Sequence, residues 1–267
     1  MTAGPSQRSA LVQEWGVVSA LWKRDMWRLW RERSRWIGVV LQPLIFWGIL
    51  GTGFGERVQM EGTQQDYLAF FFPGIAVMIV LFAALFATIS VIEDRQSGFL
   101  QGVLVAPGSR ASMVVGKVLG VTSLAMIQVL LFLCFAPLAG YEFQAINWVG
   151  LIGVLVFSSM VLTAAGFVLA WVLNSTMAYH GLMSVLMIPL WVLSGAMFPA
   201  EGTWMEHVAL FNPMSYSVSG VRAALLDVDR VGTEPSVWIC CLVLFLGFVA
   251  FTAMAAWVSR RPIGRTR

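Results

Sequence analysis

The chain has 267 residues, 58% of them apolar and only 12% charged. Soluble domains of this size carry about 25% charged residues, so the composition excludes an ordinary soluble enzyme. It points to a single all-α integral membrane domain over residues 1–267, and the formal charge of +3 gives no reason to invoke nucleic acid.

From the N-terminus, the first 35 residues are charged and hold no cleavable apolar region, which argues against a removed signal peptide. Within 11–36, Leu11, Trp15, Val18, Trp22, Met26, Leu29 and Trp30 recur at helical spacing, with charges on the opposite face. This stretch predicts an amphipathic helix in the membrane interface, anchored by Trp and Arg, with a purely topogenic basic flank as the alternative. Six apolar runs long enough for a bilayer of about 30 Å follow. They lie near Trp36–Phe54, Tyr67–Ile92, Met113–Leu138, Trp148–Leu173, Tyr179–Phe198 and Val237–Val258. Pro189 is expected to kink the fifth.

Six spans put both termini on one side, and the basic residues choose it. The N-terminal stretch, the connection after span two and the C-terminal tail hold 14 of the 17 Lys and Arg residues. Only Arg57, Arg222 and Arg230 fall on the other side. Both termini are therefore expected to be cytoplasmic.

Residues 93–111 then form a cytoplasmic connection. Glu93 and Asp94 suit the positive end of a helix dipole. Phe99, Leu100, Val103 and Leu104 make one apolar ridge, and Ala106-Pro107-Gly108-Ser109 stops the helix. A short amphipathic helix over 93–107 is the expectation, either resting on lipid or contacting a partner. Gly116-x-x-x-Gly120 and the small-residue stretch Ser158–Gly166 permit close helix approach, within the chain, at a subunit interface or along a polar path. Pro199–Ser236 is unusually long for a bare loop. Its content predicts two short helices broken at Asn212-Pro213, which dip into the membrane and return or lie on its outer surface; 199–235 is taken as that outer re-entrant region.

Enzyme chemistry is not visible. No His, Cys, Asp and Glu cluster has metal-ligand spacing, so no metal or catalytic site is assigned. Cys134, Cys240 and Cys241 sit in apolar runs and read as small buried side chains. A phosphate loop needs Gly-x-x-x-x-Gly-Lys-Ser/Thr; Gly116-Lys117 is followed by Val118, and residue 111 is Ala. The spans hold neutral polar groups such as Gln42, Thr88, Gln128 and Ser158, with almost no charge, which disfavours an ion-driven relay. Energy for transport must then come from a partner.

Three stretches in order resemble a known family. They are Glu93-Asp94-Arg95-x-x-Gly98-Phe99-Leu100 with Val105-Ala106-Pro107-x-Ser109-Arg110 and Gly116-Lys117; Phe71-Phe72-Pro73-Gly74-Ile75; and Leu193–Pro199 with Asn212-Pro213-Met214-Ser215-Tyr216 and Arg222. Together they resemble the membrane subunit of ABC-2 type exporters, over about residues 11–258. Gln96, Ser97 and Phe99 depart from the more usual residues beside the glycine. The resemblance implies a non-enzymatic permease half in the cell inner (plasma) membrane. It implies a second copy as partner and a separate ABC ATPase that holds ATP and Mg, with no cofactor in this chain. Residues 93–107 would be the coupling helix, with Glu93, Asp94, Arg95, Gly98, Phe99, Leu100, Val103, Leu104 and Pro107 at the ATPase. The 11–36 helix would be the connecting helix. Trp191, Phe198, Pro199, Phe211, Asn212, Pro213 and Tyr216 would line an outer gate for an amphiphilic cargo such as a drug, lipid or lipid-linked glycan. The competing reading is a six-span intramembrane enzyme or assembly factor without transport. It requires a catalytic cluster at one membrane depth, and a channel requires a polar pore ring.

Overall fold

A computed structural model describes residues 7–31, 33–55, 67–98, 109–173, 175–199, 204–226 and 235–259. These residues form α1 (Gln7–Arg31), α2 (Arg33–Gly55), α3 (Tyr67–Gln96), α4 (Arg110–Leu133), α5 (Trp148–Val172), α6 (Thr176–Val192), α7 (Met205–Ala209), α8 (Pro213–Leu225) and α9 (Val237–Val258). A 3-10 turn, Ala136–Ala139, follows α4, and no strand occurs among the described residues.

The architecture is built around α3. Up to Ile92 it is apolar on nearly every side, as a helix must be when it is enclosed by others. It packs against α2, α4, α5, α6 and α8. Helices α5 and α9 pair along their length, and α8 is wedged against both and against α3. Among the described residues, four helices are long and apolar enough to cross a membrane by length and composition: α3, Ala111–Leu133 of α4, α5 and α9. The protein is thus an all-helical membrane protein. The first expected span lies within α2, and the fifth corresponds to the shorter apolar α6.

Helix ends differ from expectation where local chemistry decides them. The interfacial helix expected over 11–36 is α1, ending at Arg31, and Arg33–Trp36 already belong to α2. Helix α3 does not stop at Ile92, because Glu93, Arg95 and Gln96 are good helix formers. It stops at Ser97-Gly98, where Gly98 has φ +76 and occupies the left-handed position that ends helices. Helix α4 ends before Pro137, which opens the 3-10 turn. Helix α6 starts at Thr176, capped by Ser175 Oγ accepting the Ala178 N–H, and ends at Val192 rather than Phe198. The chain then turns through Gly195 at φ +78.

Aromatic rings knit one end of the bundle. Phe72 of α3 stacks on Phe132 of α4 at 4.5 Å and meets Trp47 of α2 edge-on at 5.4 Å. Neighbouring Phe71 lies 5.8 Å from Trp191 of α6 and 6.1 Å from Phe46 of α2. Such pairs contribute about 0.5–1.5 kcal/mol each beyond burial. The Phe71-Phe72-Pro73-Gly74 stretch is therefore the packing hub where four helices converge.

Candidate functional site

Two ends of the bundle carry the residues singled out by the sequence, and they are built differently. At the first end, charges do the work. Asp94 lies in the last turn of α3 and is only 7% exposed. It pairs with Arg24 of α1, and its second oxygen is 3.6 Å from Lys117 Nζ of α4. Lys117 Nζ in turn is 2.9 Å from Asp25 Oδ2. Arg24–Asp94–Lys117–Asp25 is thus an alternating chain of zero net charge joining three helices. Asp25 and Lys117 are also buried. Buried charges persist only when paired, because desolvating an ion without a counter-ion costs several kcal/mol.

Close backbone approach makes this pairing possible. A Cβ on Gly116 would lie 3.1 Å from the Val18 carbonyl oxygen and 3.2 Å from Leu21 Cβ. One on Gly120 would lie 3.2 Å from Asp25 Cβ. Gly116-x-x-x-Gly120 is therefore the seat of α1 on α4, an intrachain contact. Trp22 Nε1 donates to Ser123 Oγ at 3.0 Å along the same seam.

The next residue, Arg95, fastens α3 to the end of α5. It donates to the carbonyls of Trp171 and Leu173, both at 2.7 Å, and its guanidinium lies 5.6 Å from the Trp171 ring centre. A cation here satisfies carbonyls that the end of α5 leaves open. At the start of α4, Ser109 caps the helix by accepting the Ser112 N–H at 3.1 Å. Ser109 also donates from its N–H at 3.0 Å and from its hydroxyl at 2.7 Å to the Glu14 carboxylate of α1. The Ser109 hydroxyl bond, with help from Ser112 and the Ser109 N–H, holds the Glu14 carboxyl below the ordinary range despite a slight desolvation.

This geometry corrects one expectation. Glu93 and Asp94 do not open a helix; they close α3, and Glu93 is exposed while Asp94 is buried. An acid is unfavourable at the negative end of a helix dipole, and Asp94 is kept there by Arg24 and Lys117. Phe99, Leu100, Val103, Leu104 and Pro107 lie outside the described residues.

At the other end, neutral hydrogen bonds replace ion pairs. Trp191 is 4% exposed and donates from Nε1 to the Gly74 carbonyl of α3 at 2.8 Å. A Cβ on Gly74 would lie 2.7 Å from the Ala196 carbonyl oxygen, so glycine admits the turn after α6. Asn212 closes two helices at once. Its Nδ2 donates to the Leu190 carbonyl near the end of α6 at 2.7 Å, and its Oδ1 accepts the Met214 N–H at the start of α8 at 3.0 Å. Pro213 at the first position of α8 needs no partner for an N–H it lacks. Tyr216 donates to the Leu210 carbonyl at 3.1 Å, while Phe211 is 91% exposed and Phe198 and Pro199 are also exposed. Arg222 of α8 donates to the Gly195 carbonyl at 3.1 Å and covers the Phe70 ring at 4.3 Å.

Tyr141 was not singled out by the sequence, yet it solves a local problem. Pro73 cannot donate to the Ala69 carbonyl one turn back, and the Tyr141 hydroxyl donates to that oxygen at 2.8 Å. Burial pushes the Tyr141 phenol up, only partly opposed by Arg222, so it stays a neutral donor. Proline inside an apolar helix was the signal that a donor was needed from elsewhere. Among the described residues, no group of His, Cys, Asp and Glu could hold a metal ion.

Residues 17–226 match the family described as ABC-2 type transporter. The chain belongs to the ABC-2 type transporter family. It is 28% identical over 205 residues to the transport permease ycf38 of Cyanophora paradoxa, covering 75% of this chain and 71% of that protein. It is 22% identical over 245 residues to nodulation protein J of Rhizobium leguminosarum bv. viciae, covering 88% and 92%. With the daunorubicin resistance ABC transporter permease protein DrrB1 of Streptomyces coeruleorubidus, identity is 23% over 195 residues, or 70% and 66%. This ABC-2 chain is accordingly the membrane permease component of an ABC transporter and not an enzyme by itself. Permeases of this family generally work with an ABC ATPase.

Proposed function

We propose that this chain is one permease subunit of an ATP-driven exporter with six spans, α2, α3, α4, α5, α6 and α9. Its ion-paired end faces the cytoplasm, the side to which the charge rule assigns the sequence stretches that hold 14 of the 17 basic residues. There the 93–107 stretch receives a separate ABC ATPase. The observation that carries this reading is the bracing of both sides of that stretch. Asp94 and Arg95 tie its start to α1, α4 and α5, and Ser109 ties its end to α1. A force applied between them is passed to the bundle rather than absorbed by loose chain.

The second copy fits the flank formed by α2 and α6. These two helices meet near Phe46 and Trp191, 6.0 Å apart, and leave Leu41, Ile45, Ile49, Val185 and Ile188 exposed. Between them α3 presents the stacked pair Phe82–Phe86, with His180 6.4 Å from Phe86. An apolar, aromatic wall with sparse polar groups suits an amphiphilic cargo. The daunorubicin resistance named for one relative supports the drug class among those cargoes. The ATPase drives the cycle by binding two permease states with different affinity. Nothing among the described residues favours the intramembrane enzyme over this reading.

The test is reconstitution of the chain with its ATPase in lipid vesicles, following daunorubicin and a fluorescent phospholipid. The reading expects ATP-dependent movement of at least one probe. An active ATPase complex that moves neither overturns the cargo class.

A further inference from the structure

The bracing at the ion-paired end has a specific geometry. Helix α1 touches both sides of the 99–108 stretch. Glu14 accepts two hydrogen bonds from Ser109 on the far side, and Arg24 pairs with Asp94 on the near side. Glu14 and Arg24 lie on one uninterrupted helix, ten residues and therefore about 15 Å apart along its axis. The seat of α1 on Gly116 and Gly120 keeps that helix from sliding, and the Lys117–Asp25 pair locks it in rotation.

We propose that Glu14 and Arg24 are positioning residues: α1 is a ruler that fixes the separation of Asp94 and Ser109, and so sets the frame in which the ATPase is received. The inference rests on the transporter reading. In this account α1 need not touch the ATPase through either residue. Both side chains act through Asp94 and Ser109, and the rigidity of one helix makes the two contacts a single constraint. The sequence carries this constraint out of sight, because the paired residues are 95 and 70 positions apart.

The test uses the full chain in nanodiscs and the ABC ATPase recovered with it from native membranes. Cys134, Cys240 and Cys241, all free, are first replaced by alanine. Binding of the ATPase is measured alongside the melting temperature of the permease alone. Arg24→Gln is expected to weaken ATPase binding at least fivefold. In the chain with Arg24 intact, Glu14→Cys with Ser109→Cys is expected to weaken binding at least threefold while both thiols are free, and a short bis-thiol-reactive bridge between them is expected to bring binding back to within twofold, since the bridge remakes the far-side contact without its charge. Should Arg24→Gln fail to fold, Glu14→Gln at the exposed contact serves, with an expected loss of at least threefold.

Unchanged binding in these variants overturns the proposal. So does weakened binding that the bridge leaves weak, which would make α1 a direct contact or a mere fold element. A bridge that abolishes binding in the otherwise unaltered chain also overturns it, because α1 would then have to leave Ser109 during docking. Failure of any ABC ATPase to accompany the unaltered chain sinks the transporter reading, and this inference with it.

Discussion

The two ends of this bundle solve the same problem, holding several helices in register, with opposite chemistry. At one end four charges on α1, α3 and α4 cancel one another in a buried chain. At the other, Tyr141, Asn212 and Arg222 satisfy carbonyls at a proline, a helix end and a turn, and Trp191 adds a bond to the Gly74 carbonyl. Ion pairs are strong only as a set, since removing one member leaves its neighbours buried and uncompensated. Neutral bonds fail one at a time, each costing the desolvation of one group. The ion-paired end should therefore behave as a single unit, and the aromatic end as a set of separable contacts.

Substitution separates the two designs. Lys117→Met leaves Asp25 and Asp94 without their shared cation and should cost about 3–5 kcal/mol. Fluorescence-detected size-exclusion melting should show the largest loss of folded protein for this variant. Asn212→Ala removes two caps together and should cost about 2 kcal/mol by the same assay. It should leave ATPase recovery intact, because it acts at the far end. Tyr141→Phe keeps the ring and strands the Ala69 carbonyl, for about 1 kcal/mol. Combined with Asn212→Ala it should be additive, whereas Lys117→Met and Arg24→Gln should not be.

The smallest effect is at Glu14, and its sign can be worked out. Its carboxyl titrates below the ordinary value of 4.5 because the charged form is hydrogen-bonded. The contribution is present above that ordinary value and is lost as pH falls through the lowered one. Slowed amide exchange at Ser109, relative to Glu14→Gln at the same pH, should persist down to about pH 4.5 and fade below it. Protection that fades well above that pH would remove Glu14 from the account.

Much of the framework was legible in the sequence. The apolar runs marked the long helices, and Asn212-Pro213 marked the break between α7 and α8, because a capping side chain followed by proline is a local signal. Gly116-x-x-x-Gly120 signalled close approach but not its partner, which is α1. Less was legible at the site. Asp94 was expected at the ATPase contact and Lys117 was quoted only beside Gly116, and their pairing with Arg24 and Asp25 is set by tertiary packing that no spacing rule encodes. Glu93 and Asp94 were expected at a helix start on the dipole rule, yet they end α3. A local electrostatic preference lost there to two long-range cations.

The central claim is that the braced stretch after α3 receives an ABC ATPase. Affinity purification of the chain from its native membranes, with Glu93→Arg and Gly98→Pro as paired variants, tests it most directly. Glu93 is an exposed side chain in the last turn of α3, and Gly98 holds a backbone angle that proline cannot adopt. The account predicts that an ABC ATPase accompanies the unaltered chain in near-stoichiometric amount and falls at least tenfold with each variant, while the permease stays folded. Undiminished recovery of the ATPase with both variants would contradict it.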